Sequence, residues 1–411
     1  MSQRTSHVNR SADQALVREI NLSLIMNRLL EHQSLSRAAL AEVTGLNKST
    51  VSSLVQELLE MQFVREVGLN FTGVGRPSML LELNPDAGYV LSCELGVDFI
   101  SILCANFGAE VIWQHKEDTH GQMDQHAIID RMLILLCQAD ETGRKRCMAC
   151  GRLLGLAVGV PGLVDRVSGR LLFAPNLRWE NVLLHAILRG AFPETPVFVE
   201  NEANMAAMGE CFFGAAQGYH EVLFISAGVG LGGAVVRDGQ VYKGASGFAS
   251  EFGHMTMDPD GEPCNCGNRG CWETQVSQAA AFRAIQRALD AGRPSCLNGQ
   301  PLSMAQVVAA AEAGDAVALD ALTTIGQHLG IGIASLINAL NPDLVVFGGI
   351  MSLVGHFLLP IVEREVQRRA LRWNAGATRV ILAQHGSDAC VMGGVAMVYQ
   401  AILAHPVGYL T

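Results

Sequence analysis

Hydrophobic residues recur at helical spacing over the first sixty positions, and the pattern then changes to short alternating runs. In residues 15–32, Leu16, Ile20, Leu24, Ile25, Leu29 and Leu30 fall on a 3.6-residue period and predict a helix. Ser36 reads as the N-cap of a short second helix, RAALAEVT, closed by Gly45. Asn47 opens a third helix, KSTVSSLVQELLEMQ, with Val51, Leu54, Val55, Leu58 and Leu59 as its buried stripe. Two helices joined by a tight Gly-containing turn predict a helix-turn-helix. Phe63 begins a strand, and GLNFTGVGRPSMLLEL reads as a wing of two strands with its tip at Gly75-Arg76-Pro77.

From Gly88 three β-rich runs follow, with turns at Gly96-Val97-Asp98 and Phe107-Gly108, and then a helix over 125–139. LLGLAVGVPGLVD is a buried strand entering a Gly-Pro-Gly turn, and PVFVENEANMAAMGECFFG a strand and a helix that opens at Asn201. The three-strand opening then recurs in EVLFISAGVGLGGAVVRDGQVYKG. Helices are predicted over 278–292, 304–313 and 315–340, a strand at DLVVFGGI, and a last helix over 390–403. Two strand triplets, each followed by helices, predict an α/β body of two similar halves with a cleft between them.

Composition narrows the class. The chain has 411 residues, 49% hydrophobic and 17% charged, which suits a well-buried globular protein of two or three domains. Net charge is −10, but residues 1–85 carry eight Lys+Arg against eight Asp+Glu, and the remainder carries 21 against 31. A neutral N-terminal unit on an acidic body is compatible with a tethered DNA-binding domain. Eleven cysteines and a polar N-terminus without an apolar leader predict a reducing cytoplasm. The most apolar run, 345–362, contains Gly348, Gly349, Gly355 and Pro360, so it reads as a buried strand and turn and no membrane insertion is expected.

The candidate chemistry is concentrated in two places. His254, Cys264, Cys266 and Cys271 lie in EFGHMTMDPDGEPCNCGNRGCWE, residues 251–273. Three thiolates and an imidazole on one tight loop suit one structural Zn²⁺ per chain, because four protein ligands leave no position for a catalytic water. The third helix opens with Asn47, Lys48, Ser49, Thr50, Ser52 and Ser53, short polar groups and a cation suited to phosphates and base edges. Ser36 and Arg37 at the second helix and Arg76 on the wing complete the candidate DNA contacts, with Arg76 suited to a minor groove or to phosphate. Two weaker motifs are set aside. Cys147-Met-Ala-Cys150 has redox-like spacing but follows Arg144-Lys145-Arg146 in an apparent loop. GVGLGG is followed by a strand, so it lacks the helix N-terminus a dinucleotide needs.

The winged helix ending in GRP, then GVPGLVD, ENEAN, GVGLGG, EFGHM with CNCGNRGCWE, and VVFGG together resemble the ROK family (repressor, open reading frame, kinase) over nearly the whole chain. The N-terminal segment is similar to the repressor branch, closest in look to xylose repressors, with N-acetylglucosamine- and glucose-responsive repressors as relatives. The resemblance implies a two-lobed, actin-like sugar-kinase body whose sugar site is lined by Asn201, Glu202, Glu251, His254 and Glu273. It also implies altered kinase parts. The family's Asp-x-Gly-Gly-Thr turn is here Glu94-Leu95-Gly96-Val97-Asp98, Gly-Thr-Gly is Ser226-Ala227-Gly228, and the base of Asn-Asp-Ala-Asn is Glu202. An Asp that repels phosphate, a lost hydroxyl and a displaced base predict loss of phosphoryl transfer.

The expected organisation is a winged helix-turn-helix over 1–84, a first lobe over 85–200 with a return helix over 388–404, and a second lobe over 201–387 that carries the metal loop. The expected function is a sugar-responsive regulator, a repressor that binds operator DNA as a homodimer or tetramer and a small sugar in its cleft. A sugar kinase with an appended DNA-binding domain and a regulator answering to a protein partner are the alternatives.

Overall fold

The computed structural model describes residues 14–70, 78–119, 124–147 and 151–409. The wing tip with Arg76, and Cys150, lie outside the described residues.

Local sequence chemistry sets the N-terminal domain. Helices α1 (Gln14–His32), α2 (Arg37–Thr44) and α3 (Lys48–Glu60) are followed by an antiparallel pair, β2 (Val64–Asn70) and β3 (Ser78–Leu83), with the two-residue β1 (Leu35–Ser36) on its edge. Ser36 caps α2 by accepting from the Ala39 N–H at 3.2 Å, and Gly45 closes it at φ 70°. Asn47 caps α3, its side-chain oxygen accepting from the Thr50 N–H at 2.8 Å. Val51, Leu54, Val55 and Leu58 are buried as expected, and Leu59 is partly buried. In α1 the buried residues are Leu22, Ile25, Met26 and Leu29, while Leu16, Ile20 and Leu30 are exposed. The buried face runs along residues 22, 25, 26 and 29, so Leu16 and Ile20 precede it and Leu30 lies off it.

The body holds two five-stranded sheets of the same topology. The first comprises β4 (Tyr89–Leu95), β5 (Phe99–Asn106), β6 (Val111–Asp118), β7 (Leu153–Val160) and β11 (Val197–Asn201), in the order β11-β7-β4-β5-β6. The second comprises β12 (Glu221–Ala227), β13 (Leu231–Arg237), β14 (Gln240–Val241), β15 (Leu344–Gly348) and β16 (Arg379–Leu382), in the order β14-β13-β12-β15-β16. Each is an antiparallel three-strand meander extended by two parallel strands beside its first strand. A small sheet of β8 (Leu163–Val164), β9 (Leu171–Ala174) and β10 (Trp179–Val182) is inserted before α5 (Leu184–Ala191). It escapes sequence reading because its strands are too short for a period to register.

Two helices, α6 (Glu202–Phe213) and α13 (Ala389–Ala404), lie between the sheets. Alternation along β12 shows the layering: Val222 and Phe224 join the core shared with α6 and α13, while Leu223 and Ile225 join the outer core. That outer core is built with α7 (Glu273–Val276), α8 (Gln278–Asp290), α9 (Met304–Glu312), α10 (Ala316–Leu340), α11 (Gly355–Arg369) and α12 (Arg372–Ala377). On the far face of the first sheet lies α4 (Gln125–Arg146). It runs a further two turns past Ala139, because Arg144 and Lys145 pair with Asp140 and Glu141 and place positive charge at its C-terminus. The run over 345–362 continues beyond its strand and turn into α11, which accommodates Pro360. The helix Ala316–Leu340 and the stretch Gly386–Ala404 are long and apolar enough to cross a membrane, but 56% and 67% of their most apolar stretches are buried inside the protein.

Contact between α6 and α13 is backbone to backbone. A Cβ on Gly209 would lie 2.5 Å from the Ala389 carbonyl oxygen, and one on Gly393 would lie 1.7 Å from that of Met205. Glu210, wholly buried on α6, accepts backbone N–H bonds from Ala215 (2.8 Å), Gln384 (3.0 Å) and His385 (2.8 Å). Residues 384–385 belong to the crossover that returns the chain from β16 to α13.

Candidate functional site

A cleft of about 240 Å³ opens between the two sheets. Pockets that bury drug-sized ligands run to roughly 300–1,000 Å³, so this one suits a smaller molecule. Its lining includes all five residues expected around a sugar, Asn201, Glu202, Glu251, His254 and Glu273.

The metal loop forms one wall. The ligand atoms of His254, Cys264, Cys266 and Cys271 all lie within 4.8 Å of one another. Cys266 and Cys271 sulfurs are 3.7 Å apart, and the Cys264 sulfur is 3.8 Å from His254 Nδ1. Tetrahedral zinc with Zn–S near 2.3 Å requires edges of about 3.8 Å, so this donor set can hold a metal. The loop folds by short backbone bonds, from the Cys264 N–H to the Asn268 carbonyl (2.8 Å) and from the Gly267 N–H to the Cys264 carbonyl (3.0 Å). Gly270 has φ 60°, and a Cβ there would lie 1.5 Å from the Asp258 carbonyl oxygen, so no other residue fits.

Three consecutive residues join cage, core and cleft. Cys271 belongs to the candidate metal cage. Trp272 is wholly buried against Gly332, and its indole N–H donates to the His328 carbonyl at 3.0 Å. Glu273, 7% exposed, has one carboxylate oxygen 2.9 Å from the Cys264 sulfur and accepts from the Leu231 N–H at 3.3 Å with the other. Glu251 sits at the centre of a tight turn (φ −71°, ψ 53°) in which the Phe252 N–H donates to the Ser250 carbonyl at 2.7 Å.

The opposite wall comes from α6 and the first sheet. Asn201 caps α6, accepting from the N–H groups of Ala203 (2.9 Å) and Asn204 (3.2 Å), and its amide donates to the Gly162 carbonyl at 3.1 Å. Much of its hydrogen-bonding capacity is thus used in holding the wall. Glu202 projects into the cleft with a buried carboxylate oxygen that has no protein partner, as does Glu94 on β4. Burial raises the Glu202 carboxyl well above the usual range, with the charges of Glu94, Glu251 and Glu200 adding to it. Burial likewise pushes Glu94 up to about 7, partly offset by Lys116, and raises Glu251. A protonated Glu202 donates a hydrogen bond, which makes it a poor general base.

The Glu94 shift has a testable sign. Folded protein keeps this proton up to about pH 7, whereas an unperturbed carboxyl releases it near 4.5. Its contribution to stability is therefore complete below about 4.5 and is lost as pH rises through about 7. Those 2.5 pH units correspond to on the order of 3 kcal/mol at most. Urea midpoints of Glu94→Gln are expected to fall less between pH 5 and 8 than those of the wild type. Equal slopes would remove Glu94 from the account.

Glu94, Lys116, Asn265 and Lys243, in or beside the cleft, carry no local sequence signal of a sugar contact. Glu94 and Lys116 line it from β4 and β6. Asn265, between two cage ligands, donates to Asn176 at 2.8 Å and so bridges the metal loop to the β9–β10 turn of the first lobe. Lys243 pairs with Glu200, which also accepts from the Asn201 N–H at 3.0 Å. Of the altered kinase positions, Val97, Asp98 and Glu202 line the cleft, whereas Ala227 is wholly buried.

A second candidate surface is the exposed face of α3. Asn47, Lys48, Ser49, Ser52 and Ser53 are exposed there, and Thr50 is partly so. Gln56 extends the same face and escaped the sequence reading, although its spacing from Ser52 and Ser53 could have found it. Ser36 is buried with its hydroxyl committed to the α2 cap, and Arg37 pairs with Glu66 at 3.1 Å.

Comparison with known proteins agrees with this architecture. The ROK family model matches residues 90–401, and the IclR helix-turn-helix domain model matches residues 23–68. The xylose repressor of Caldicellulosiruptor bescii is 32% identical over 395 residues, 95% of this chain and 98% of that protein. A crystal structure of a ROK family transcriptional regulator, a homolog of the E. coli MLC protein, superimposes with TM-score 0.82 at 29% identity, covering 96% of this chain and 98% of that one. A ROK family glucokinase from Streptomyces griseus, solved with glucose and AMPPNP, superimposes with TM-score 0.67 at 29% identity, covering 76% of this chain and 100% of that one. The chain belongs to the ROK family, and it joins the family's body to a helix-turn-helix of the IclR type.

Proposed function

We propose that the protein is a sugar-responsive transcriptional repressor that binds operator DNA through α3 and the wing and takes a sugar in the cleft. One observation carries the reading: a single chain joins an exposed polar helix-turn-helix face to a cleft whose carboxylates, Glu202 and Glu94, hold buried oxygens without protein partners. Sugar hydroxyls would satisfy those oxygens, and a ligand lacking them would leave the site's polar groups unpaired. Xylose is the sugar favoured by the likeness to a xylose repressor.

Zinc is the metal proposed for the cage, held by His254, Cys264, Cys266 and Cys271. Its role is structural, since it fixes the loop that presents Glu251 and Glu273. Lobes over 85–200 with 388–404, and over 201–387, close around the sugar, and the repressor works in the cytoplasm as a homodimer, because one recognition helix reads too few base pairs. Phosphoryl transfer is not part of the reading. Val97 and Asp98 stand at the phosphate turn, and purified protein is expected not to phosphorylate xylose or glucose with ATP.

The test is operator binding titrated with free sugars. Release by one of them supports the proposal, and indifference to all of them sinks the sugar assignment. Two variants separate the roles. Arg76→Ala is expected to weaken operator binding with sugar affinity unchanged, and Glu273→Gln to do the reverse. Normal operator binding by Arg76→Ala would remove the wing from the interface.

A further inference from the structure

The winged helix meets the body where α1 packs on α13 and where a row of aromatic rings runs inward. Phe63, wholly buried just before β2, has its ring centroid 5.5 Å from that of Phe107 in the β5–β6 turn. Phe107 is 4.6 Å from Tyr399 on α13, and Tyr399 is 6.0 Å from Phe213, the last residue of α6. These separations are those of tilted and edge-on ring pairs in contact. The other end of α6 is the cleft wall at Asn201 and Glu202. At 1.5 Å per residue, the 12 residues of α6 place these two ends about 18 Å apart.

The pair formed by α6 and α13 is suited to acting as one body. Its glycines bring the two backbones into direct contact, so neither helix can turn against the other without collision. The covalent link between domains is tied to the same turn, because the Phe107 N–H donates to the carbonyls of Pro85 (3.0 Å) and Gly88 (3.1 Å).

We infer that ligand in the cleft reaches the winged helix through the α6–α13 pair, with Phe213, Tyr399, Phe107 and Phe63 as the positioning residues that pass the shift on. This rests on the sugar-responsive reading above. A ligand that moves Glu202 moves the start of α6, and the close-packed pair carries that movement to its aromatic end. There the rings set how the winged helix is seated.

The experiment uses full-length protein and an operator duplex selected from random DNA with the wild type. Operator Kd is measured without sugar and with saturating xylose, glucose or N-acetylglucosamine, and the ratio of the two values is the coupling factor. For the wild type this factor is expected between about 5 and 150, and for Phe213→Leu and Tyr399→Leu below about 3. Sugar affinity and sugar-free operator affinity are expected to stay near wild type, and Tyr399→Phe, which keeps the ring, to retain the wild-type factor. Leucine variants that fold and show the wild-type factor overturn the inference while the sugar reading stands. A wild type indifferent to all three sugars overturns that reading and the inference with it. If Tyr399→Leu does not fold, Phe213→Leu, altered at a ring only partly buried, decides the matter.

Discussion

Cys271→Ser is expected to reduce bound zinc from one per chain to nearly none and to abolish the sugar response, with most of the fold retained. A hydroxyl is a poor replacement for a thiolate at zinc, and three ligands leave the cage open. Structural zinc contributes about 10–16 kcal/mol in isolated zinc-finger peptides, which unfold without it. Here the loop has a second anchor in Trp272, so the damage is expected to stay local. Glu273, whose carboxylate lies against Cys264, loses its fixed position, and the cleft loses a wall. Metal analysis with sugar titration checks this, with the exposed Cys296→Ser as control. A Cys271→Ser protein that still holds one zinc and answers to sugar would show that the cage has been misassigned.

The second large effect is expected at Trp272 itself. Truncating a fully buried Trp typically costs about 3–5 kcal/mol through lost burial and the cavity left behind. Trp272→Ala also leaves the His328 carbonyl without the indole donor. Its unfolding free energy in urea is expected to fall by that amount with little change in slope, and its zinc affinity to fall with it. Trp272→Phe keeps most of the packing and loses only the hydrogen bond, worth about 1–3 kcal/mol when a buried group is left unpaired. A Trp272→Ala protein with wild-type stability would mean that the metal alone anchors the loop.

What the sequence made legible was local. Ser36 and Asn47 announce their helices because a cap bonds an N–H three residues away. The metal quartet was readable because its three cysteines fall within eight positions and its histidine ten before the first of them. The duplicated sheets were visible in the repeated strand triplet, although only the structure shows that each gains two parallel strands in the same order. What stayed hidden depends on contacts across the fold. APNLRWEN offers Asn176 as a candidate amide beside the sugar, but its bond to Asn265, 89 positions away, has no local signal. Glu94 reads as part of an altered phosphate turn, and its buried oxygen appears only once β4 and α6 face the same cavity. The spacing over residues 15–32 likewise predicts the helix that forms, but not which apolar side chains of α1 the core covers: Leu22 and Met26 are buried, and Leu16 and Ile20 are exposed.

Glu210 grips the crossover between β16 and α13 by its backbone alone. Every N–H it receives, from Ala215, Gln384 and His385, is one that nineteen of the twenty amino acids supply. As far as this carboxylate is concerned, those three positions are free to drift in sequence while the path of the chain stays fixed, with proline alone forbidden. Glu210 has no such latitude. Aspartate falls one methylene short, and glutamine turns an N–H toward other N–H groups. A survey of natural variants should therefore find an invariant acid on α6 facing a crossover that looks unconserved, a pivot that sequence comparison would pass over as a loop.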